Sequence, residues 1–299
     1  MTTAAVLVLL LGIILYSCLC RLLFKRVFRI ALAKRTLRMH VALWLAQLAG
    51  GLLLALVLVA LTLLLPLLMG HYAIGAGGGP DEITFAARLM QIDAPMPPAT
   101  FLGYVTYYAL GEELLFRGIL MLLLALLLGG LAKALVSAQV VRSRFFLIML
   151  WLNAIAISSL AFSMLHAGNP NVGSVALTNI FLVGVLLSFL VLFTRGITLA
   201  AGAHIGWNAL LELVNLPVSG FNFPTAGHPF SVVMVEDGLL TGGEFGPEAS
   251  ICLTAVLLII IAACLYILPR VLRAHVDAMP PLAPAEPRAA GGTESDSED

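Results

Sequence analysis

Seven long apolar stretches dominate this 299-residue chain and decide which environment it can fold in. They cover approximately residues 3–24, 41–69, 101–131, 145–166, 175–194, 197–216 and 250–268. A helix needs about 20 predominantly apolar residues to cross the hydrocarbon core of a bilayer, and each stretch is about that long. The sequence therefore predicts an all-α, polytopic integral membrane bundle of about seven transmembrane helices.

The composition excludes several other classes of protein. Apolar residues make up 61% of the chain and charged residues 11%, with a mean hydropathy of +1.05, whereas an average soluble domain is about 25% charged. A formal net charge of zero argues against a nucleic-acid partner. The apolar stretches are continuous rather than alternating, which argues against a transmembrane β-barrel. The predicted partner is the lipid bilayer.

Basic residues lie almost entirely in alternate connections. The loops over residues 70–100 and 217–249 together contain one basic residue, Arg88. The other connections and the tail contain Arg21, Lys25, Arg26, Arg29, Lys34, Arg35, Arg38, Lys133, Arg142, Arg144, Arg195, Arg270, Arg273 and Arg288. Cytoplasmic loops carry the excess of Lys and Arg. Seven spans then predict an N-terminus outside and a C-terminus in the cytoplasm.

The stretches and loops divide the chain into four parts. Residues 1–97 form an N-terminal transmembrane hairpin with a basic cytoplasmic loop and an outer loop, and residues 98–216 form a membrane core. Residues 217–278 form a second outer loop and the last transmembrane helix, followed by a disordered acidic tail over 279–299. The glycine-rich run over 75–80 predicts a segment that is neither helix nor strand. Neither outer loop contains a candidate site residue.

Ionisable and amide residues inside the apolar stretches are the best indicators of function. An ionisable group at the centre of a bilayer costs at least about 2.5–3.5 kcal/mol, so it is rarely kept without a role. The residues of this kind are Glu112, Glu113, Arg117, His166, His204, Asn208 and Glu212. Packing between helices is the alternative role, and it is the better interpretation for Asn179 and Ser188. Cys18, Cys20, Cys252 and Cys264 are interpreted as apolar helix residues.

Helix periodicity separates the two adjacent glutamates. Glu113 and Arg117 are four residues apart and can form an ion pair on one helix face. Glu112 points about 100° away and has no such partner. His204 and Asn208 share one face of their helix, together with Glu212. Histidines, a carboxylate and an amide from three helices could therefore converge on one polar pocket.

Such a pocket has the groups needed to activate water against a carbonyl. A carboxylate in an apolar pocket can act as a base near neutral pH, and a neighbouring imidazole can share the proton. Histidine and asparagine N–H groups can stabilise an oxyanion. The sequence has no Gly-x-Ser-x-Gly, no His-Glu-x-x-His and no intramembrane aspartate pair, so no other hydrolytic motif competes. The pattern indicates hydrolysis.

Three motifs occur in order: Glu112-Glu113-x-x-x-Arg117, Phe162-x-x-x-His166 and His204-x-x-x-Asn208. Together they resemble the CAAX-processing and bacteriocin-processing intramembrane proteases (the CPBP or Abi family), which include type II CAAX prenyl endopeptidases. The resemblance covers approximately residues 98–216, and it implies an intramembrane endopeptidase.

The resemblance also implies a role for each motif residue. Glu112 is the general base that activates water, assisted by His166. His204 and Asn208 polarise the scissile carbonyl and hold the oxyanion. Glu113 and Arg117 support the site.

A metal-dependent mechanism and a metal-free mechanism are both compatible with these motifs. Glu112, His166 and His204 could supply three ligands to a divalent metal such as zinc, with an open fourth position. The metal-free mechanism is favoured because the third motif ends in asparagine, a poor metal ligand. Glu212 has no assigned role.

The substrate implied by the resemblance is a prenylated, exported or membrane-embedded peptide. The predicted topology places His166 at the outer end of its helix, which favours a bacterial inner-membrane enzyme that acts on an exported or membrane-embedded peptide. A proton-coupled transporter is one alternative, because carboxylates and histidines can form a proton relay. A catalytically silent immunity or scaffold protein that binds a peptide is another.

Overall fold

The computed structural model describes residues 37–76, 97–141, 143–223 and 230–277. Its α-helices are α1 (Leu37–Leu68), α2 (Pro98–Glu113), α3 (Met121–Leu135), α4 (Ala138–Val141), α5 (Arg144–Leu165), α6 (Ser174–Thr194), α7 (Thr198–Leu213) and α8 (Ile251–Asp277). Strands β1 (Tyr72–Ala76) and β2 (Phe230–Met234) pair antiparallel. Single turns of 3₁₀ helix cover Gly243–Phe245 and Pro247–Ala249.

Five described helices are long and apolar enough to cross a membrane: Arg38–Leu68, Pro98–Leu135, Arg144–Leu165, Ser174–Thr194 and Ile251–Arg273. This finding confirms a helical integral membrane protein. The predicted stretch over 3–24 lies outside the described residues. The stretch over 197–216 corresponds to α7, which has 16 residues and is shorter than the usual span. The count of seven spans and the orientation of the termini stay predictions.

A π-helical segment, Leu114–Leu120, joins α2 to α3 without a break. Single π-helical turns are rare, and they occur frequently at functional sites because they change which side chains face inward. This one begins directly after Glu113 and contains Arg117. The first predicted motif therefore lies where the backbone departs from regular α-helix.

Helix α7 packs closely against α1 through glycine. A Cβ atom added to Gly202 would lie 2.7 Å from the backbone oxygen of Leu48, and one added to Gly206 would lie 2.8 Å from the Cβ of Ala55. Small residues let membrane helices approach this closely, and the packing then replaces lipid contacts. The backbone on both sides of His204 is thereby held against α1.

The two strands join the predicted outer loops. Tyr72 lies opposite Met234 and Ala76 lies opposite Phe230. The prediction that Gly75 and Ala76 are neither helix nor strand is wrong, because β2 supplies hydrogen-bonding partners that local composition does not reveal. Residues 77–80 lie outside the described part of the chain.

The strands and the neighbouring residues 214–223 and 235–250 form what we call the cap. The N–H of Val232 donates to the backbone oxygen of Val214, at the end of α7, at 2.8 Å. The hydroxyl of Tyr72 donates to the backbone oxygen of Thr241 at 2.7 Å, and both residues are buried. The cap is therefore tied to the end of the helix that carries His204.

Candidate active site

Glu113 and Arg117 form a fully buried ion pair. Nη1 of Arg117 donates to Oε1 of Glu113 at 2.8 Å, and both side chains have 0% exposure. The guanidinium carbon also lies 4.2 Å from the ring centroid of Phe162 on α5, a distance suited to a cation–π contact. The predicted pairing is confirmed, and it links the first motif to the second.

The imidazole of His204 lies between the two adjacent glutamates. Its Nδ1 is 2.9 Å from Oε1 of Glu113, and its Nε2 is 3.6 Å from Oε2 of Glu112. An ionised carboxylate only accepts hydrogen bonds, so Nδ1 is the donor toward Glu113. Glu112 is 25% exposed, whereas Glu113 is fully buried. Glu112 is thus the member of the pair that a water molecule or a substrate can reach.

His166 directly follows the last residue of α5, and one of its ring nitrogens is already engaged. Nδ1 lies 2.9 Å from the backbone oxygen of Phe162, so this nitrogen carries the hydrogen and donates it. In the neutral ring Nε2 is then the proton acceptor. The Phe162 ring lies between the two histidines, with its centroid 4.9 Å from that of His166 and 6.0 Å from that of His204.

Two predicted residues of α7 lie beyond this cluster. Asn208 is one turn after His204 and half-buried, and Glu212 is a further turn along and buried. Among the residues that the structure describes, no hydrogen bond links Asn208 to the two glutamates or the two histidines. Its predicted contact with the oxyanion stays a prediction.

Glu248 is a buried carboxylate that sequence reasoning missed. Its Oε1 accepts a hydrogen bond from the indole Nε1 of Trp207 at 3.1 Å, and its Oε2 accepts one from the backbone N–H of Ser219. Burial raises the pKa of Glu248, while the Ser219 N–H and His166 oppose that rise. No sequence motif marks this glutamate, because its partners come from a helix and a turn that are distant in the chain.

A cavity of about 40 Å³ lies beside the histidines. Its polar lining comes from His166, His204, Glu248, Trp207 and Asn179. A cavity needs about 10–15 Å³ of such space to hold one water molecule, and a buried water needs two to four polar partners. The cavity therefore has the size and the polar groups to hold water next to both predicted catalytic histidines.

The predicted zinc ligands can be compared with this geometry. The described residues contain no group of three or more His, Cys, Asp or Glu side chains that could hold a metal ion. Glu112, His166 and His204 do not form such a group in this arrangement. Whether the site binds a metal stays a quantity to measure.

The fold and the site define an integral membrane protein with a carboxylate–histidine cluster suited to acid–base chemistry. Residues 94–210 match the family described as type II CAAX prenyl endopeptidase Rce1-like, which confirms the resemblance to the CPBP proteases. A match to this family indicates that the protein is a peptidase. The matched segment contains all the predicted catalytic and supporting residues, and it ends before Glu248. Comparison with curated proteins and with solved structures gave no match.

Proposed function

We propose that this protein is an intramembrane endopeptidase that hydrolyses a peptide bond with water activated by Glu112. The observation that carries this proposal is the difference in burial and in partners between the two adjacent carboxylates. Glu113 is buried against Arg117 and His204, whereas Glu112 is partly exposed and lies near the other nitrogen of His204. One carboxylate holds the site together, and the other is available to react.

The proposed reaction follows the roles implied by the family. Glu112, assisted by Nε2 of His166, takes a proton from water, and the water oxygen attacks the scissile carbonyl carbon. His204 acts here as the doubly protonated, cationic ring, with Nδ1–H held by Glu113; its second N–H, at Nε2, and the amide of Asn208 stabilise the resulting oxyanion. When the tetrahedral intermediate collapses, the C–N bond breaks and Glu112 returns the proton to the leaving nitrogen. Water is added across the peptide bond, and the enzyme is regenerated.

The ion pair supports this chemistry through His204. The hydrogen bond from Nδ1 of His204 to Glu113 fixes the imidazole ring, with Nε2 on the side of Glu112. The positive charge of Arg117 offsets the negative charge of Glu113. Glu113 can therefore accept the hydrogen bond from His204 without being a buried charge that lacks a counter-ion. A ring held in this way loses little freedom when the oxyanion forms, which is the basis of electrostatic preorganisation.

The cap end of the bundle is the proposed side of substrate entry. A cavity of about 440 Å³ between the cap and the turn after α5 is lined by polar and apolar residues, among them Asn171, Asn215 and Asn222. The described basic residues Arg38, Lys133, Arg144, Arg195 and Arg270 lie toward the helix ends away from the cap. The positive-inside rule then supports a cap outside the cytoplasm. We favour an exported or membrane-embedded peptide as substrate, in a bacterial inner membrane, over a prenylated cytoplasmic one.

Cleavage of candidate peptides by the purified protein tests this proposal. The wild type is compared with Glu112→Ala and His204→Ala, and metal content is measured on the same samples. Activity that is lost in both variants supports the mechanism, whereas activity that survives Glu112→Ala contradicts it. Proton flux in liposomes without cleavage would favour a transporter. Peptide binding without cleavage would favour a silent immunity or scaffold protein.

A further inference from the structure

We propose that Glu248 is a positioning residue of the active site, supplied by the cap from outside the matched family segment. It ties Trp207 of α7 to the turn over Val218–Phe221, and so fixes the positions of His166 and His204, which line the same cavity as Glu248. The inference rests on the proposed peptidase function.

The two hydrogen bonds of Glu248 reach two different structural elements. The indole of Trp207 belongs to α7, three residues after His204. The N–H of Ser219 belongs to a turn in which Val218 and Phe221 bond to each other in both directions, at 2.9 Å each. Each carboxylate oxygen serves one of these partners. The carboxylate therefore sets the distance between the catalytic helix and the cap.

The turn is held in a conformation that its residues rarely adopt on their own. Ser219 has a φ of 51°, in the left-handed region that non-glycine residues avoid, and it is followed by Gly220 at 83°. Such a conformation persists only where the surroundings determine it. Here the N–H of Ser219 donates to Glu248 and its backbone oxygen accepts from Nδ2 of Asn169 at 2.9 Å.

The backbone that carries Glu248 is fixed as well. Nδ2 of Asn179 on α6 donates to the backbone oxygens of Glu248 and Ser250 at 2.9 and 2.8 Å. Oδ1 of Asn179 accepts from the hydroxyl of Thr254 on α8 at 2.6 Å. An amide with its donors and its acceptor engaged leaves Glu248 little freedom to move. The carboxylate is a rigid link rather than a loop side chain that happens to be buried.

Glu248 lies beside the two predicted catalytic histidines. Glu248 lines the same cavity as His166 from α5 and His204 from α7, and Glu112 is not among the lining residues. A displacement of about 1 Å in such a site can reduce turnover about 100-fold while leaving substrate contacts intact. A tie that serves stability alone would instead lower the apparent kcat only in proportion to the loss of folded protein, so kcat has to be referred to the concentration of folded enzyme.

Glu248→Gln separates these two roles. Glutamine keeps the size of the side chain, and its oxygen can still accept from Trp207. Its NH₂ group would face the N–H of Ser219, so this second bond is lost. We expect kcat for a cleaved peptide, referred to folded enzyme, to fall about 10-fold to 100-fold with KM unchanged, and Tm to fall modestly because the N–H of Ser219 loses its acceptor. Trp207→Phe removes the other bond and should also lower kcat, and the double variant should fall by less than the product of the two single losses.

Glu236→Gln is the matched control, because Glu236 is a cap carboxylate whose side chain is 71% exposed. It should keep the kcat and KM of the wild type. A Glu248→Gln variant with wild-type kcat would overturn the positioning role, as would a loss in kcat that disappears once kcat is referred to the concentration of folded enzyme. If Glu248→Gln does not fold, wild-type kcat in folded Trp207→Phe would be equally decisive against it. A wild type that cleaves no peptide would instead refute the proposed function.

Discussion

Nδ1 of His204 lies 2.9 Å from Oε1 of Glu113, although 91 residues separate them in the chain. The same carboxylate oxygen accepts from Arg117 on the adjacent turn of its own helix. One buried oxygen thus joins α7 to the π-helical segment after α2. This arrangement makes Glu113 a fixed anchor and leaves Glu112 as the carboxylate that can exchange a proton with water.

Glu112→Gln should abolish most of the peptidase activity without unfolding the protein. The amide keeps the size of the side chain but cannot accept the proton from water. General-base catalysis contributes about 10²–10⁴-fold to rate, so we expect kcat to fall within that range. Single-turnover cleavage measures the loss, and the exposed Glu236→Gln serves as the control. A kcat equal to that of the wild type would show that another group is the base.

Glu113→Gln should destabilise the protein as well as inactivate it. The change leaves Arg117 as a buried charge without its carboxylate, and breaking a buried pair costs about 3–5 kcal/mol. The double variant Glu113→Gln/Arg117→Met removes both charges and should recover much of that stability. Activity should not recover, since His204 still lacks its carboxylate acceptor. Thermal unfolding in detergent and cleavage assays on the same samples separate the two effects.

Equal stability of the single and double variants would contradict this account of the pair. It would mean that Arg117 finds another acceptor or reaches water when Glu113 is neutral. Recovery of activity in the double variant would be equally informative. In that case the hydrogen bond between His204 and a carboxylate would not be needed for catalysis.

The topology can be tested with single cysteines in a variant that lacks the native Cys18, Cys20, Cys252 and Cys264. Ala167→Cys lies in the exposed turn directly after His166, and Leu135→Cys lies at the far end of α3, where the native side chain is 72% exposed. We expect a membrane-impermeant thiol reagent to label position 167 from outside the cytoplasm and position 135 from the cytoplasm. The reverse labelling pattern would invert the topology and the proposed side of substrate entry.

Gly206→Ala should destabilise the bundle although alanine favours helix. The added Cβ would lie 2.8 Å from the Cβ of Ala55, and overpacking of this kind costs about 1–3 kcal/mol. Gly130→Ala is the matched control, because a Cβ at Gly130 meets no atom within 4 Å. The control should be as stable as the wild type or about 0.5–1 kcal/mol more stable. If both variants gain stability equally, α1 and α7 are not in the close contact described.

Much of the candidate site could be predicted because its residues stand out against an apolar background. Polar side chains within membrane helices are rare, so Glu113, Arg117, His166 and His204 were identifiable from the sequence. The pairing of Glu113 with Arg117 was also predictable, since it depends only on a separation of four residues. Contacts between helices, such as that of Glu113 with His204, required the fold.

Glu248 could not be predicted in the same way. It lies in a glycine-rich and proline-rich loop that contains other acidic residues, where a carboxylate is unremarkable. Its role depends on Trp207, Ser219 and Asn179, which come from three different parts of the chain. The strand pairing of Gly75 and Ala76 escaped prediction for the same reason, because the partner strand begins more than 150 residues later.

The sequence by itself determined the membrane environment, the helical class and the set of catalytic candidates. These properties follow from the energy of transferring each side chain into lipid and from helix periodicity, which are local quantities. The separation of four residues already predicted that Glu113 pairs with Arg117, whereas only the tertiary structure showed that Glu113 is fully buried, that Glu112 is partly exposed and that His204 lies between them. It alone brought Glu248 of the cap to the two histidines. Both outcomes depend on which helices pack together, and that is settled by close contacts such as those of Gly202 and Gly206 with α1.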